Sequence, residues 1–142
     1  MITPKRLPLV VRRNSPLHLM CRVEGLNLSG AIMRFAVKLY PDNVPPDDQI
    51  PPLLVLEAAA INGGEGIRLV DVSYDEGIPT SRFEVIAAKS SIQALPPSAD
   101  AGTDLQLFYD FDWLRVADDS GWSMLEETVL YGPFTVKGSA NV

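Results

Sequence analysis

Proline and glycine interrupt this chain so often that a long helix has almost nowhere to form: there are 12 prolines and 10 glycines in 142 residues. Proline lacks the backbone N–H and clashes inside a helix, and glycine costs conformational entropy there, so the segments between them are short. Short segments are strands or single turns, and side-chain pattern decides which. A strand sends successive side chains to opposite faces, so a half-buried strand alternates apolar and polar residues.

Three segments show that alternation. In residues 17–23, Leu17, Leu19, Cys21 and Val23 share one parity and His18, Met20 and Arg22 the other. In residues 31–39, Ala31, Met33, Phe35, Val37 and Leu39 oppose Ile32, Arg34, Ala36 and Lys38. In residues 105–113, Leu105, Leu107, Tyr109, Phe111 and Trp113 oppose Gln106, Phe108, Asp110 and Asp112. Each predicts a strand with the first set in the core and the second mostly in water. Phe35, Val37, Leu107, Tyr109, Phe111 and Phe134 are the expected heart of that core. Further strands are predicted over residues 7–12, 67–74, 81–88 and 128–136, the last with Pro133 at an edge or bulge. Residues 53–60 are apolar but alanine-rich, which suits strand or helix. Residues 89–95 suit one helical turn, stopped by Pro96-Pro97.

The turn residues agree. Asn62-Gly63-Gly64-Glu65-Gly66, Asp75-Glu76-Gly77-Ile78-Pro79 and Asp118-Asp119-Ser120-Gly121 each predict a hairpin turn. Gly30, at the entry to the 31–39 strand, predicts a positive φ. Residues 41–52 contain five prolines and predict a long surface loop. The sum is about eight short strands and at most one helical turn. That predicts one all-β domain over residues 1–142, an antiparallel β-sandwich of immunoglobulin-like architecture, with a partly open barrel as the alternative. A chain this long buries about 68–70% of its unfolded surface, so its core needs neither metal nor disulfide.

Charge and composition narrow the function. The net charge is −6 and the pI about 4.6, opposite to what a phosphate-backbone binder needs, so no nucleic-acid partner is expected. One cysteine and one histidine permit no disulfide within the chain and no zinc site built from several Cys or His. Any histidine-based mechanism runs through His18. Residues 1–6 lack the apolar stretch of a secretory signal and no apolar run reaches the length of a membrane helix, so no membrane partner is expected. Gly63-Gly64-Glu65-Gly66 lacks the Lys-Ser/Thr of a phosphate loop, and no cofactor is expected.

Four groups of residues invite a chemical reading. Asp110 and Asp112 sit two apart on one strand face, about 6.6–6.8 Å between Cα atoms, a separation like that of a glycosidase acid/base pair. Alternation, however, puts them on the wet face, where nothing raises a general acid's pKa. The same two with Asp118 and Asp119 supply oxygens for calcium, but Leu114 and Arg115 stand where an EF-hand loop needs a ligand and a glycine, which leaves only a looser site. His18 and Cys21 have a spacing suggestive of a metal pair, yet an odd separation sends them to opposite faces. Trp113 and Trp122, with Tyr109 and Tyr131, suggest an aromatic platform for sugar; alternation assigns Trp113 to the core and leaves Trp122 exposed in a loop, as at a protein interface.

The order of segments resembles a known family. Gly25-Leu26-Asn27-Leu28-Ser29-Gly30-Ala31 is similar to the glycine-ended turn before a strand in bacteriophage and prophage tail-associated domains. Gly66-Ile67-Arg68-Leu69-Val70, then Leu95-Pro96 with Leu105-Gln106-Leu107-Phe108-Tyr109-Asp110-Phe111, then Leu130-Tyr131-Gly132-Pro133-Phe134-Thr135-Val136 resemble that family's later strands in the same order. The likeness covers about residues 25–137. It implies the immunoglobulin-like sandwich module of phage tail and baseplate proteins, similar to the first domain of baseplate upper proteins. None of the fibre-holding domains that follow in that family is expected within these residues. The resemblance implies no catalytic residues. The expectation is therefore a non-enzymatic virion structural protein, made in the bacterial host cytoplasm, whose partners are other virion proteins and further copies in an oligomer or ring. Asp42, Asp47 and Asp48 of the proline-rich loop, together with Trp122, are the expected contact residues. The acidic loop calls for a basic patch opposite it, such as Arg12-Arg13 of a neighbouring copy. A small carbohydrate- or ligand-binding sandwich is the alternative.

Overall fold

The fold is described from a computed structural model for residues 5–25, 27–30, 32–39, 52–59, 64–96, 103–115 and 125–138, at the backbone alone for 114–115 and 125–129. Nine strands and one short helix are found there: β1 (Lys5–Arg6), β2 (Leu9–Arg12), β3 (Leu17–Glu24), β4 (Ile32–Lys38), β5 (Leu54–Leu56), β6 (Gly66–Asp75), β7 (Ile78–Ala87), α1 (Lys89–Gln93), β8 (Leu105–Arg115) and β9 (Leu125–Lys137). One sheet runs β5, β4, β8, β9, with β1 and β2 in turn along the far side of β9; the other runs β3, β7, β6. This is the expected all-β sandwich, with strand order like that of immunoglobulin domains. The pairings of β1 and β2 with β9 are parallel, and the other pairings between these strands are antiparallel.

The inward parities are those the alternation assigns. Phe35, Val37, Leu107, Tyr109, Phe111 and Phe134 are all buried. Phe35 is the hub: it stacks on Tyr109 at 5.1 Å between ring centroids and meets Phe111 and Phe134 edge-on at 6.2 and 6.3 Å. Phe83 on β7 meets Phe111 on β8 edge-on at 6.2 Å, tying one sheet to the other. These are the preferred geometries of rings whose edges are positive and faces negative.

Local chemistry sets the connections. β6 and β7 form a hairpin in which Asp75 pairs with Ile78. Its two central residues are Glu76 and Gly77, and Glu76 takes the left-handed φ of 52° that such a tight turn demands. Gly30 has φ 79°, as expected at the entry to β4. Just before it, Leu28 is buried and its N–H donates to Ser81 Oγ at 2.9 Å, while Ser29 N–H donates to Asn27 Oδ1 at 3.0 Å. The turn therefore both plugs the core with Leu28 and satisfies its own backbone.

Several expectations are corrected. The strand expected over residues 7–12 is shortened to β2 (Leu9–Arg12), because Pro8 has no N–H to give to β9, and an unexpected strand, β1, precedes it at Lys5–Arg6. Of residues 53–60, the described ones (53–59) supply the three-residue strand β5 and no helix. Asn62 to Gly66 does not join two paired strands, since β5 lies beside β4 and β6 beside β7 in the opposite sheet. The chain crosses between sheets there and makes an isolated parallel bridge, Ala58 to Ile67. A Cβ on Gly66 would stand 2.6 Å from the Glu57 carbonyl oxygen and 2.8 Å from Ala59 Cα, so only glycine admits this approach. The turn at Asp118 to Gly121 and residues 41–51 of the proline-rich loop lie outside the described residues, although the strands β8 and β9 flanking the former pair as neighbours.

Candidate interaction surface

The outward face of the large sheet is the most mixed surface described. The register aligns Val55, Ala36, Asp110 and Tyr131 in one row across β5, β4, β8 and β9. Lys38, Phe108 and Pro133 form the next row, and Gln106, Thr135 and Val10 the one after. Val10, Ile32, Val55 and Tyr131 are exposed on this face.

In the middle of this face, Lys38 Nζ lies 3.0 Å from Asp110 Oδ2. Asp110 is only 5% exposed, which corrects the expectation that alternation puts it in water. The reason is its place in the sheet. β8 is flanked by β4 and β9, and the residue opposite Asp110 is Ala36, itself fully buried and too small to fill the face. The Lys38 ammonium reaches the carboxylate in that space. Asp112, one step along the same face, is half-buried. Asp110 thus has a neighbouring cation as its counter-ion, an arrangement of a structural ion pair.

The outward face of the small sheet is charged instead. Glu84 lies between His18 Nε2 at 3.2 Å and Arg68 at 3.6 Å. Arg82 grips Asp71 with two bonds, Nε to Oδ1 at 2.7 Å being one, and holds the Asp71 carboxyl below its ordinary range. His18 points outward and Cys21 inward, as their spacing requires, so they make no metal pair. Burial pushes the Cys21 thiol from an ordinary 9.0 to about 12. Among the described residues, no three His, Cys, Asp or Glu side chains come together as a metal site. Nor is any described helix long and apolar enough to cross a membrane.

The aromatic platform is divided by the fold. Tyr109 and Trp113 point into the core, whereas Tyr131 is exposed on the outward face. The Tyr109 hydroxyl donates to the Leu7 carbonyl at 2.7 Å, and burial raises its pKa above the ordinary value. Asp42, Asp47, Asp48, Asp118, Asp119 and Trp122 lie outside the described residues. Of the basic pair expected to receive the acidic loop, Arg13 is already engaged: its guanidinium donates to the carbonyls of Leu95 at 2.7 Å and Pro96 at 2.8 Å. Arg12 remains exposed.

Sequence reading missed the anchors of α1. Glu65 Oε2 accepts from the Ala88 N–H just before the helix and from the Ser91 hydroxyl in its first turn, both at 2.6 Å, while Arg13 donates to the carbonyls after its end. Partners 23 to 83 residues apart leave no local spacing to detect.

Fold and surface together define an all-β sandwich whose large sheet carries an ion pair and four exposed apolar side chains on its outward face. No protein-family profile matches the chain, and no curated protein matches it in sequence.

Proposed function

We propose that this chain is a non-enzymatic structural protein of a phage particle, a tail, baseplate or neck component that docks onto neighbouring virion subunits and onto copies of itself. The observation that carries the reading is the ordered series of four segments, around Gly30, Gly66, Tyr109-Asp110 and Gly132, that resembles phage tail-associated sandwich modules. A role in surface contact has separate support from Val10, Ile32, Val55 and Tyr131, exposed on one face of the large sheet. The proposed contacts include Asp42, Asp47 and Asp48 of the proline-rich loop and Trp122. Neither nucleic acid nor membrane is among the proposed partners.

The test is the composition of particles released by the producing strain. After gradient purification, mass spectrometry is expected to find the chain at fixed stoichiometry with the tail proteins. Complete, infectious particles assembled by a strain lacking the gene overturn the reading. A folded variant with residues 43–50 replaced by a Gly-Ser linker is expected to enter particles poorly. Glycan binding lost in Trp122→Ala, in a chain absent from particles, establishes the carbohydrate-binding alternative.

A further inference from the structure

A free sheet edge presents unpaired backbone groups to any strand that comes alongside, and proteins blunt such edges by shortening, breaking, bulging or covering them. The described edges divide on this point. β5 has three residues. The β1–β2 edge is broken at Pro8. β6 is engaged at its start by the Ala58–Ile67 bridge and then loses register between Leu69 and Asp71. β3 has none of these guards. Its eight residues pair with β7 without a register shift, contain no proline or glycine, and no described strand lies along their other side. Its inward side chains also change along its length: Leu17 and Val23 at the ends are buried, while Leu19 and Cys21 between them are only half-buried. The core is left partly open along that edge.

We infer that the β3 edge pairs with the β3 edge of a second copy, antiparallel about a two-fold axis at Cys21. Such an interface is self-complementary, each patch meeting its own image. Inward residues must face inward on both copies, so the register can move only in steps of two. With Cys21 opposite itself, Leu19 meets Val23 of the second copy on the inner side. On the outer side His18 meets Glu24, and Met20 meets Arg22. Moving the axis to Met20 sets His18 against Arg22, and moving it to Arg22 sets Arg22 against itself. The Cys21 register gives Glu24 the polar His18 as its partner and sets no two arginines opposite each other, whereas the Arg22 register sets like charges face to face, which destabilises a strand pair. His18, Arg22 and Glu24 are all exposed; within one chain His18 Nε2 lies 3.2 Å from Glu84 and Arg22 lies 3.5 Å from Glu24, and a second copy approaches these groups from their open side.

The inference names the edge through which copies meet and stands independently of the particle reading: a chain that dimerises and never enters a particle satisfies it. Sedimentation velocity on the full chain over a wide concentration range is expected to show a reversible dimer and no larger species. Glu24→Lys removes a favourable pair twice per dimer and is expected to weaken association roughly tenfold. His18→Lys sets a permanent cation opposite Glu24 and is expected to tighten it. In the proposed register the two Cys21 Cα atoms lie about 4.5–5.5 Å apart, within disulfide range. Treatment of the native chain with copper-phenanthroline is expected to give a covalent dimer, absent in Cys21→Ser. A monomer at every concentration, an assembly larger than two, or a dimer indifferent to Glu24→Lys and not crosslinked through Cys21 overturns the inference. Circular dichroism of each variant confirms that it is folded before it is compared.

Discussion

Lys38 and Asp110 meet 3.0 Å apart on the outward face of the large sheet, on adjacent strands whose alternation places both outside the core. Removing the Lys38 ammonium takes a counter-charge from a largely buried carboxylate. Lys38→Met is expected to destabilise the fold by about 3 kcal/mol, and Lys38→Met with Asp110→Leu to recover most of that loss. Urea unfolding of the two single variants and the double variant checks the coupling. Additive losses in the double variant contradict it.

Phe35 touches three other rings in the core and has no exposed surface. Phe35→Ala is expected to cost about 3–5 kcal/mol, since a cavity remains where the ring stood. A loss below about 1 kcal/mol, measured by chemical denaturation, is incompatible with this packing.

Gly30 and Gly66 both have positive φ but differ in what surrounds them. A Cβ at Gly30 meets nothing within 4 Å, whereas one at Gly66 collides with the backbone at Glu57 and Ala59. Gly30→Ala is expected to cost about 1–2 kcal/mol, the ordinary strain of a left-handed residue, and the β-branched Gly30→Val more. Gly66→Ala is expected to be the more damaging alanine substitution, since the 57–67 crossover must move apart. Melting temperatures of the two alanine variants in one buffer give the ranking; equal shifts refute it.

Ser81 is fully buried, and its hydroxyl accepts the Leu28 N–H. Ser81→Ala leaves that donor without this bond and is expected to cost about 1–3 kcal/mol. Hydrogen exchange at Leu28 is expected to accelerate in the variant, which locates the loss.

Stability at the two ends of the pH scale follows from groups of opposite kind. Arg82 holds the Asp71 carboxyl low, and Lys137 with the Gly138 N–H does the same for Asp104. Their stabilisation is present above the ordinary carboxylate pKa, near 4, and disappears as pH falls through the depressed folded values. Cys21 works the other way. Its folded pKa is raised, so the neutral thiol's contribution is present below 9 and lost as pH rises from 9.0 towards about 12. At pH 8, iodoacetamide is therefore expected to label Cys21 far more slowly in the native chain than in urea. Equal rates contradict the burial of the thiol.

The legible part of the fold is the part carried by period-two alternation. Residues 17–23 and 105–113 name their own inward faces because one side of each strand meets the core whatever the topology. Alternation says nothing about which side chains reach over an outward residue: Asp110 is covered with Lys38 beside it, while Tyr131, outward on the next strand, stays exposed. The glycines around residue 66 signalled a special backbone, but local sequence does not distinguish a tight turn from a crossover between sheets. The ion pair and the anchors of α1 join residues far apart in the chain, and no local rule reaches that far. The β3 edge is open because the N-terminal strands lie against β9 instead, a choice of partner that no local pattern records.

That placement of the N-terminal strands reaches into synthesis. Residues 5–12 pair with β9 alone, and Tyr109 fastens to Leu7 across 102 residues. A nascent chain emerging at about 5–20 residues per second must wait roughly 6–25 s between releasing its first strands and releasing their partner. Through that interval Leu9 and Val11, later buried, have no sheet to lie on. Among the described strands, β1 and β2 thus leave the ribosome before the rest and wait longest for the strand they pair with.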